Sequence, residues 1–370
     1  MKKGFDTPLF LATIFLIGLG IIMVYSSSAI LAQERYHQTY FFLKKEIVFV
    51  LIGFAGLFLA KEIPFSWLKK IIYPLFFIEL ILLLLVFVPG IGVKAGGATR
   101  WISLVLFKFQ PSEAAKLVLI LYLAYALAKK KDKIRSFLVG FVPPMALSGV
   151  LIALVLLEND LGNAMLMVAT VFALFFLAGA RLSYLLTEIL LCIPTFYILI
   201  ASVGYRRRRL LAFLNPWEYR DGSGFQLIQS FIAFQTGGFW GQGLGEGKQK
   251  LFYLPEAHTD FIFSVVGEEL GFLGVAAIIF LFGFFLYRTF LISMRAKDLF
   301  STYLAGGIAF LLSFQILFNM SVVLGLVPTK GITLPFISYG GSSLVMSMIM
   351  VGLLLNISSQ EEETVRVRQK

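Results

Sequence analysis

Residues 258–287 read HTDFIFSVVGEELGFLGVAAIIFLFGFFLY. The run is long enough and apolar enough to cross a bilayer, although Glu268 and Glu269 are set into its first half. At its mouth Asp260 abuts Phe261, Ile262 and Phe263. A carboxylate at the entrance to a membrane helix costs free energy unless it is wet, paired or used. Asp260 is therefore the first candidate for a working residue.

Working outward, the composition has the same character. Of 370 residues, 59% are hydrophobic and only 14% are charged, with a mean hydropathy of +0.87. Soluble domains carry roughly 25% charged residues, so the chain reads as an all-α polytopic membrane protein. Apolar runs place about ten transmembrane helices near 8–29, 46–61, 70–90, 112–128, 138–157, 162–180, 182–204, 258–287, 301–326 and 337–357. The first run spans without a small-residue cleavage site, so no cleavable signal peptide is expected. The single cysteine, Cys192, lies inside the seventh run, where a packed apolar thiol is expected and no intramolecular disulfide can form.

An even number of spans puts both termini on one side. Outside one loop, that side holds most of the basic residues, including Lys61, Lys69, Lys70, Lys129, Lys130, Lys131, Lys133, Arg288 and Arg295. Both termini are therefore expected in the cytoplasm. The chain reads as one domain, 1–370, containing a large extracytoplasmic loop, 205–257, between spans seven and eight. The loop opens with four arginines, Arg206, Arg207, Arg208 and Arg209, which suit either anionic lipid headgroups or a phosphate-bearing ligand. The net charge of +11 is a lipid signal, and no nucleic-acid module is visible.

Within the loop, GFQLIQSFIAF has helical periodicity, with Phe225, Leu227, Ile228, Phe231 and Ile232 on one side and Gln226, Gln229, Ser230 and Ala233 on the other. Such a helix lies in the membrane interface or packs on the bundle. The glycine-rich segment 237–247 is not a P-loop, since Lys248 is followed by Gln249 and position 242 is Gln. It reads as a hinge or as backbone that approaches a sugar or phosphate.

Polar residues gather in four segments on the outer face. After Pro111, Glu113 and Lys116 fall three apart on one helix face, as a structural pair or as the lining of a cavity. Asp160, in the turn Glu158-Asn159-Asp160, is a natural N-cap for span six. Asp260 could likewise be only the N-cap of span eight, with His258 stabilising the turn or tuning the carboxylate. In GLVPTKGITLPFISYGGSS, 325–343, Pro and Gly break the backbone at membrane depth, which argues for a cavity open to the outer side. Glu79 and Glu188, inside spans three and seven, stay unassigned.

KLFYLPEAHTDFIFSVVGEELG and PTKGITLPFISYGGSS closely resemble the signature segments of the SEDS family (shape, elongation, division, sporulation). NPWEYRDGSGFQLIQSFIAFQTGGFWGQGLG, GATRWI, FQPSEAAK and NDLG resemble further family segments in family order. KGITLPFISYGGSS is more similar to the division and sporulation branches than to the elongation branch. The resemblance implies a peptidoglycan glycosyltransferase that polymerises lipid II on the outer face of the bacterial inner membrane, at the division septum. It implies that Asp260 is the essential aspartate, that Glu113 and Lys116 are the family's charged pair, and that Asp160 is its acidic loop residue. Implied partners are lipid II, a class B penicillin-binding transpeptidase, other divisome proteins and membrane lipids.

The implied reaction, attack of a sugar hydroxyl on an anomeric carbon bearing a polyprenyl diphosphate, needs a base and positive charge for the leaving group. Asp260 is the expected base. Arg100, Lys330, Lys248, Lys250 and the four loop arginines are the expected diphosphate ligands. Ser342 and Ser343 lie beside them at a helix start whose N–H groups attract anions. No cofactor is expected other than a divalent cation, Mg or Mn, which the diphosphate leaves open. The rival readings are a lipid-linked-sugar flippase and a non-catalytic scaffold for a transpeptidase.

Overall fold

A computed structural model of the chain describes residues 4–95, 98–103, 107–201, 203–251 and 254–368. The expected role of the Cys192 side chain and the placement of Lys2, Lys3 and Lys370 lie outside the described residues.

Each of the ten apolar runs coincides with a helix. In order these are α1 (Thr7–Tyr36), α2 (Phe41–Glu62), α3 (Phe65–Leu85), α4 (Pro111–Lys129), α5 (Val142–Leu157), α6 (Leu161–Leu177) and α7 (Leu182–Ala201). Two shorter helices follow, α8 (Gly204–Leu214) and α9 (Phe225–Gly237), and then α10 (Ile262–Arg295), α11 (Leu299–Val323) and α12 (Gly341–Arg368). A π-helical turn, Phe137–Phe141, leads into α5. Six stretches are long and apolar enough to cross a membrane: α1, α4, Phe137–Leu157, α10, α11 and Gly341–Gln360. Helix α6 and Leu182–Thr195 of α7 are shorter apolar helices.

Helices α4 and α11 form the heart of the bundle. Helix α11 packs against α4, α6 and α10, while α12 lies along α2 and α1 bridges α2 and α10. Side-chain amides and ion pairs tie the helix ends. Asn356 donates to the carbonyls of Ala60 (3.0 Å) and Ile63 (2.7 Å), and Asp6, the N-cap of α1, is paired with Arg288 of α10.

Three features depart from the sequence reading. The first is a small antiparallel sheet of β1 (Gly92–Ala95), β2 (Ala98–Ser103) and β3 (Lys108–Phe109), in the order β1-β2-β3. The all-α expectation is corrected here: Val93 pairs with Trp101 and Ile102 with Phe109. The residues between α3 and α4 thus satisfy their backbone groups by pairing with one another.

The second is the packing of α9. It lies on α10 and α11 through Leu227, Ile228, Ser230, Ala233 and Gly237. Ser230 and Ala233, expected on the polar side, are buried because they are small. Ser230 Oγ donates to Val323 O (2.6 Å) and meets Ser264 Oγ at 2.8 Å. A Cβ on Gly237 would sit 1.9 Å from the carbonyl oxygen of Gly267, so the two backbones touch.

The third is the glycine-rich segment, which serves this same packing. The N–H groups of Gln242 and Gly243 donate to the carbonyls of Glu268 (3.0 Å) and Glu269 (3.0 Å). Those carbonyls are available because α10 breaks at Gly271, whose φ of 63° and ψ of −164° are non-helical. A Cβ there would meet the Gly241 nitrogen at 2.3 Å. Glycine is thus required on both sides of the contact, where the backbone approaches a helix.

Candidate active site

Helix α10 begins at Ile262, and its N-cap is Phe261 with no side-chain cap hydrogen bond. Asp260 therefore does not cap the helix, and its carboxylate belongs to the turn before it. That turn is stitched to the irregular segment between α11 and α12. Asn319 Nδ2 donates both to the Asp260 carbonyl (2.9 Å) and to that of Ile332 (2.7 Å). Ser338 Oγ donates to Thr259 O (2.6 Å), and the Tyr339 N–H donates to His258 O (2.9 Å). His258 packs its ring against Phe42 and Tyr339, which makes it a part of the turn's support. Gly331 leaves space for the carboxylate: a Cβ there would be 2.9 Å from Asp260 Oδ2.

The second acidic residue comes from the turn between α5 and α6. Asp160 is the N-cap of α6 and accepts from the Asn163 N–H at 3.2 Å. Its other oxygen accepts from Gln110 Nε2 (3.0 Å), Ser112 Oγ (3.1 Å) and Asn163 Nδ2 (3.0 Å). Next to this network lies the buried pair expected from the sequence. Lys116 Nζ is 2.9 Å from Glu113 Oε2 and 3.2 Å from Gln315 Oε1, so the pair joins α4 to α11. Asn163 Nδ2 also donates to Glu113 (3.2 Å). Each charge has an opposite charge and a further polar partner, the condition under which buried ions are tolerated.

Cations reach this place from three elements. Arg100 of β2 donates from Nη2 to Asn159 O (2.6 Å) and lies 4.0 Å from Asp160. Arg206 of α8, buried at 6% exposure, donates to Asn159 Oδ1 (3.1 Å). Arg209, one turn on, donates to Thr329 O (3.4 Å), and Lys330 is the neighbour of that residue.

Electrostatics show that these groups share one space. Desolvation lowers the Lys330 pKa to about 8, helped by the charges of Arg206, Arg209 and Arg100 and opposed by Asp160. Desolvation lifts the Asp260 pKa to about 7; Glu256 and Asp160 push it further up, while Arg209 and Arg100 pull it down. Asp260 and Lys330 thus both feel the charges of Arg209, Arg100 and Asp160, and Lys330 feels Arg206 as well.

The remaining candidates are placed elsewhere. Arg207 and Arg208 are exposed, and Arg208 lines, together with Arg209, a surface depression that Glu218 and Asp221 share. Lys248 is exposed, and its backbone N–H, not its ammonium, is engaged, by Glu268 (2.7 Å). The Lys250 ammonium is buried against Glu269 (2.5 Å) and Ser26 (3.0 Å), where it locks the segment between α9 and α10 onto α10 and α1. Ser342 Oγ accepts from the Gln110 N–H (3.1 Å), and Ser343 Oγ accepts from Thr333 Oγ1 (3.0 Å), so both hydroxyls hold the irregular segment.

A family model described as a cell cycle protein, for FtsW, RodA and SpoVE, matches residues 7–363. The chain belongs to the FtsW/RodA/SpoVE family. Among relatives of this family, a probable peptidoglycan glycosyltransferase FtsW of Geobacter sp. (strain M18) is 49% identical, over 97% of this chain and 98% of its own length. The stage V sporulation protein E of Bacillus subtilis (strain 168) is 41% identical, over 96% of this chain and 98% of its own. Two solved FtsW/RodA/SpoVE-type folds superimpose closely. One is a chain from a study of structural coordination of polymerization and crosslinking by a peptidoglycan synthase complex. It has a TM-score of 0.78 and 30% identity, covering 97% of this chain and 99% of that one. The other is the rod shape determining protein RodA of Thermus thermophilus, with a TM-score of 0.72 and 28% identity, covering 97% and 98%.

Sequence reading missed three residues that build the site: Asn159, Asn319 and Gly331. Asn319 carried a signal, being an amide inside an otherwise apolar helix. Asn159 also carried one, as a turn residue suited to a left-handed conformation. Gly331 carried none beyond its place in a glycine-rich stretch.

Proposed function

We propose that this protein polymerises lipid II into glycan strands at the outer face of the bacterial inner membrane, with Asp260 as the general base. One observation carries the reading: the Asp260 carboxylate, raised to a pKa of about 7 by burial, sits against Gly331 beside Lys330 and feels the charges of Arg209 and Arg100, which also act on Lys330. The chain's kinship with proteins named probable peptidoglycan glycosyltransferase supports the same chemistry.

In the proposed step, Asp260 removes the proton from the acceptor sugar hydroxyl as its oxygen attacks the anomeric carbon of the donor. The bond from that carbon to the polyprenyl diphosphate breaks, and its electron pair leaves with the diphosphate. Arg100, Arg206, Arg209 and Lys330 hold the diphosphate and stabilise the charge that develops on it. A base with a pKa near the working pH transfers protons best, which is what enclosure does for Asp260. The flanking apolar helices give the polyprenyl tail a route into the bilayer.

Among the described residues no group of three or more His, Cys, Asp or Glu side chains is arranged to hold a metal ion. The residues present do not form an all-protein cage for Mg or Mn, and no step is routed through one. The same reading has ten transmembrane spans, both termini in the cytoplasm, residues 205–257 outside, and work at the septum beside a class B penicillin-binding transpeptidase.

The test compares wild type with Asp260→Asn in lipid II polymerisation by the purified protein with its transpeptidase partner. Asparagine keeps the size of aspartate and loses the base. A folded variant whose rate falls by about 10²–10⁴-fold supports the reading. A variant that polymerises normally removes Asp260 from the chemistry and returns the flippase and scaffold readings to the front.

A further inference from the structure

The charges of Arg206, Arg209 and Arg100 all bear on Lys330, so four positive groups lie close enough to repel one another and something must hold them together when no anion is bound. The turn between α5 and α6 has the geometry to do so. Helix α5 ends at Leu157 and α6 begins at Leu161, leaving three residues. The Asn159 N–H donates to Leu156 O (3.0 Å) and the Asp160 N–H to Val155 O (3.2 Å), which closes the end of α5. This closure puts Asn159 at a φ of 62°, the left-handed region, where asparagine is second only to glycine.

The left-handed turn leaves both oxygens of Asn159 free to accept from the arginines. Its main-chain oxygen accepts from Arg100 Nη2 (2.6 Å), and its side-chain Oδ1 accepts from Arg206 Nη2 (3.1 Å). Arg100 comes from β2 and Arg206 from α8, and one residue ties them together. Glycine could supply the conformation and the first acceptor, but not the second.

We propose that Asn159 is a positioning residue that clamps Arg100 and Arg206 side by side for a diphosphate. The inference rests on the polymerase reading above and adds to it a residue that touches no substrate. It also explains why the clamp uses a neutral amide. A carboxylate at 159 would gather the arginines equally well but would compete with the diphosphate for them. The neighbouring Glu158 does not compete, because it is buried. Desolvation, with Asp160 and Glu79 nearby, lifts its pKa to about 9 against the pull of Arg100.

The test is a double-mutant cycle of Asn159→Gly, Arg206→Ala and the two combined, in detergent-purified full-length protein. Two quantities are measured: lipid II polymerisation, and binding of undecaprenyl diphosphate. Glycine preserves the left-handed turn and the Arg100 contact, so folding is retained, and the melting temperature verifies this. Asn159→Gly is expected to weaken undecaprenyl diphosphate binding and to raise KM, each by up to about tenfold, the scale of one charge-assisted hydrogen bond. The kcat falls less. In the Arg206→Ala background the glycine substitution costs nothing further.

Additive losses, unchanged binding, or a fall in kcat with unchanged KM would each overturn the clamp. If wild type binds undecaprenyl diphosphate with this coupling yet makes no glycan, the clamp stands and the polymerase reading fails. If wild type does not bind the diphosphate at all, both fall.

Discussion

Asp260 and Lys330 place opposite demands on pH. The base must be unprotonated, and its pKa of about 7 means that the rate rises as pH climbs through that value. The cation must be protonated, and its pKa of about 8 means that it is lost above that value. Polymerisation by the free enzyme should therefore follow a narrow bell between these limits, read from kcat/KM over a range of about pH 5.5 to 9.5. In Lys330→Arg the guanidinium stays charged, so the alkaline limb should flatten while the acid limb remains. Gly331→Ala tests the space beside the base. Its Cβ would arrive 2.9 Å from Oδ2, and the carboxylate is the flexible partner that yields. The expected result is a normal melting temperature with kcat lower by about tenfold to a hundredfold, the cost of a small misplacement.

These residues show what a sequence can disclose about a site. Asp260, Asp160 and the Glu113–Lys116 pair stand out because charge is conspicuous in an apolar chain. Arg206 and Arg209 could be nominated only together with Arg207 and Arg208. Which of the four turn inward is decided by the helical period of α8, with Arg206 and Arg209 three apart on one face. Lys250 was equally plausible as a ligand, and its burial against Glu269 depends on where a glycine-rich segment crosses α10.

At the scale of elements, the contact between α9 and α10 is governed by small residues. Gly237→Ala would drive a Cβ to 1.9 Å from a backbone oxygen, which cannot rotate away. Overpacking of this kind costs about 1–3 kcal/mol and should lower the melting temperature of the purified protein. Gly283→Ala, in the same α10 but with nothing within 4 Å of the added carbon, should leave it unchanged. The existence of the ten apolar helices was legible, since twenty apolar residues need a helix to satisfy their backbone in lipid, whereas α8, with its four arginines, gave no such signal. The buried face of α9 was not. Hydrophobic periodicity points to the large side chains, whereas this interface selects serine, alanine and glycine for close approach. The sheet of β1 to β3 was hidden for a similar reason, because its strands are too short for an alternating pattern to emerge.

For the whole molecule, the charge pattern makes a topological claim. Lys131 follows α4 and Trp217 follows α8, on opposite sides under the ten-span reading. With Cys192 replaced by alanine, a membrane-impermeant maleimide applied to intact spheroplasts should label Trp217→Cys and not Lys131→Cys. Labelling of both, or only of the second, would contradict the assignment of 205–257 to the outside. The position of the site within the bundle also follows from the global arrangement. The turn before α10, the segment after α11, the start of α8 and the turn between α5 and α6 are far apart in sequence, and only the packing of α4, α6, α10 and α11 brings them together.

The break at Gly271 separates two mechanical regimes within one helix. The outer piece of α10 is fastened by the loop: Glu268 accepts from the backbone of Lys248 and Gln249, Glu269 grips Lys250, and their carbonyls hold Gln242 and Gly243. The inner piece is a long rod with much of its surface turned to lipid, as Phe272, Ile279, Phe280 and Tyr287 show. When a bilayer thickens, thins or curves, its torque falls on that rod. The loop also spans the break, since the N–H groups of Phe272 and Leu273 donate to Gly238 O (2.9 Å) and Phe239 O (3.3 Å). The corner at Gly271 is thus braced on both sides, and the rod cannot tilt without pulling on the segment that fastens the other piece.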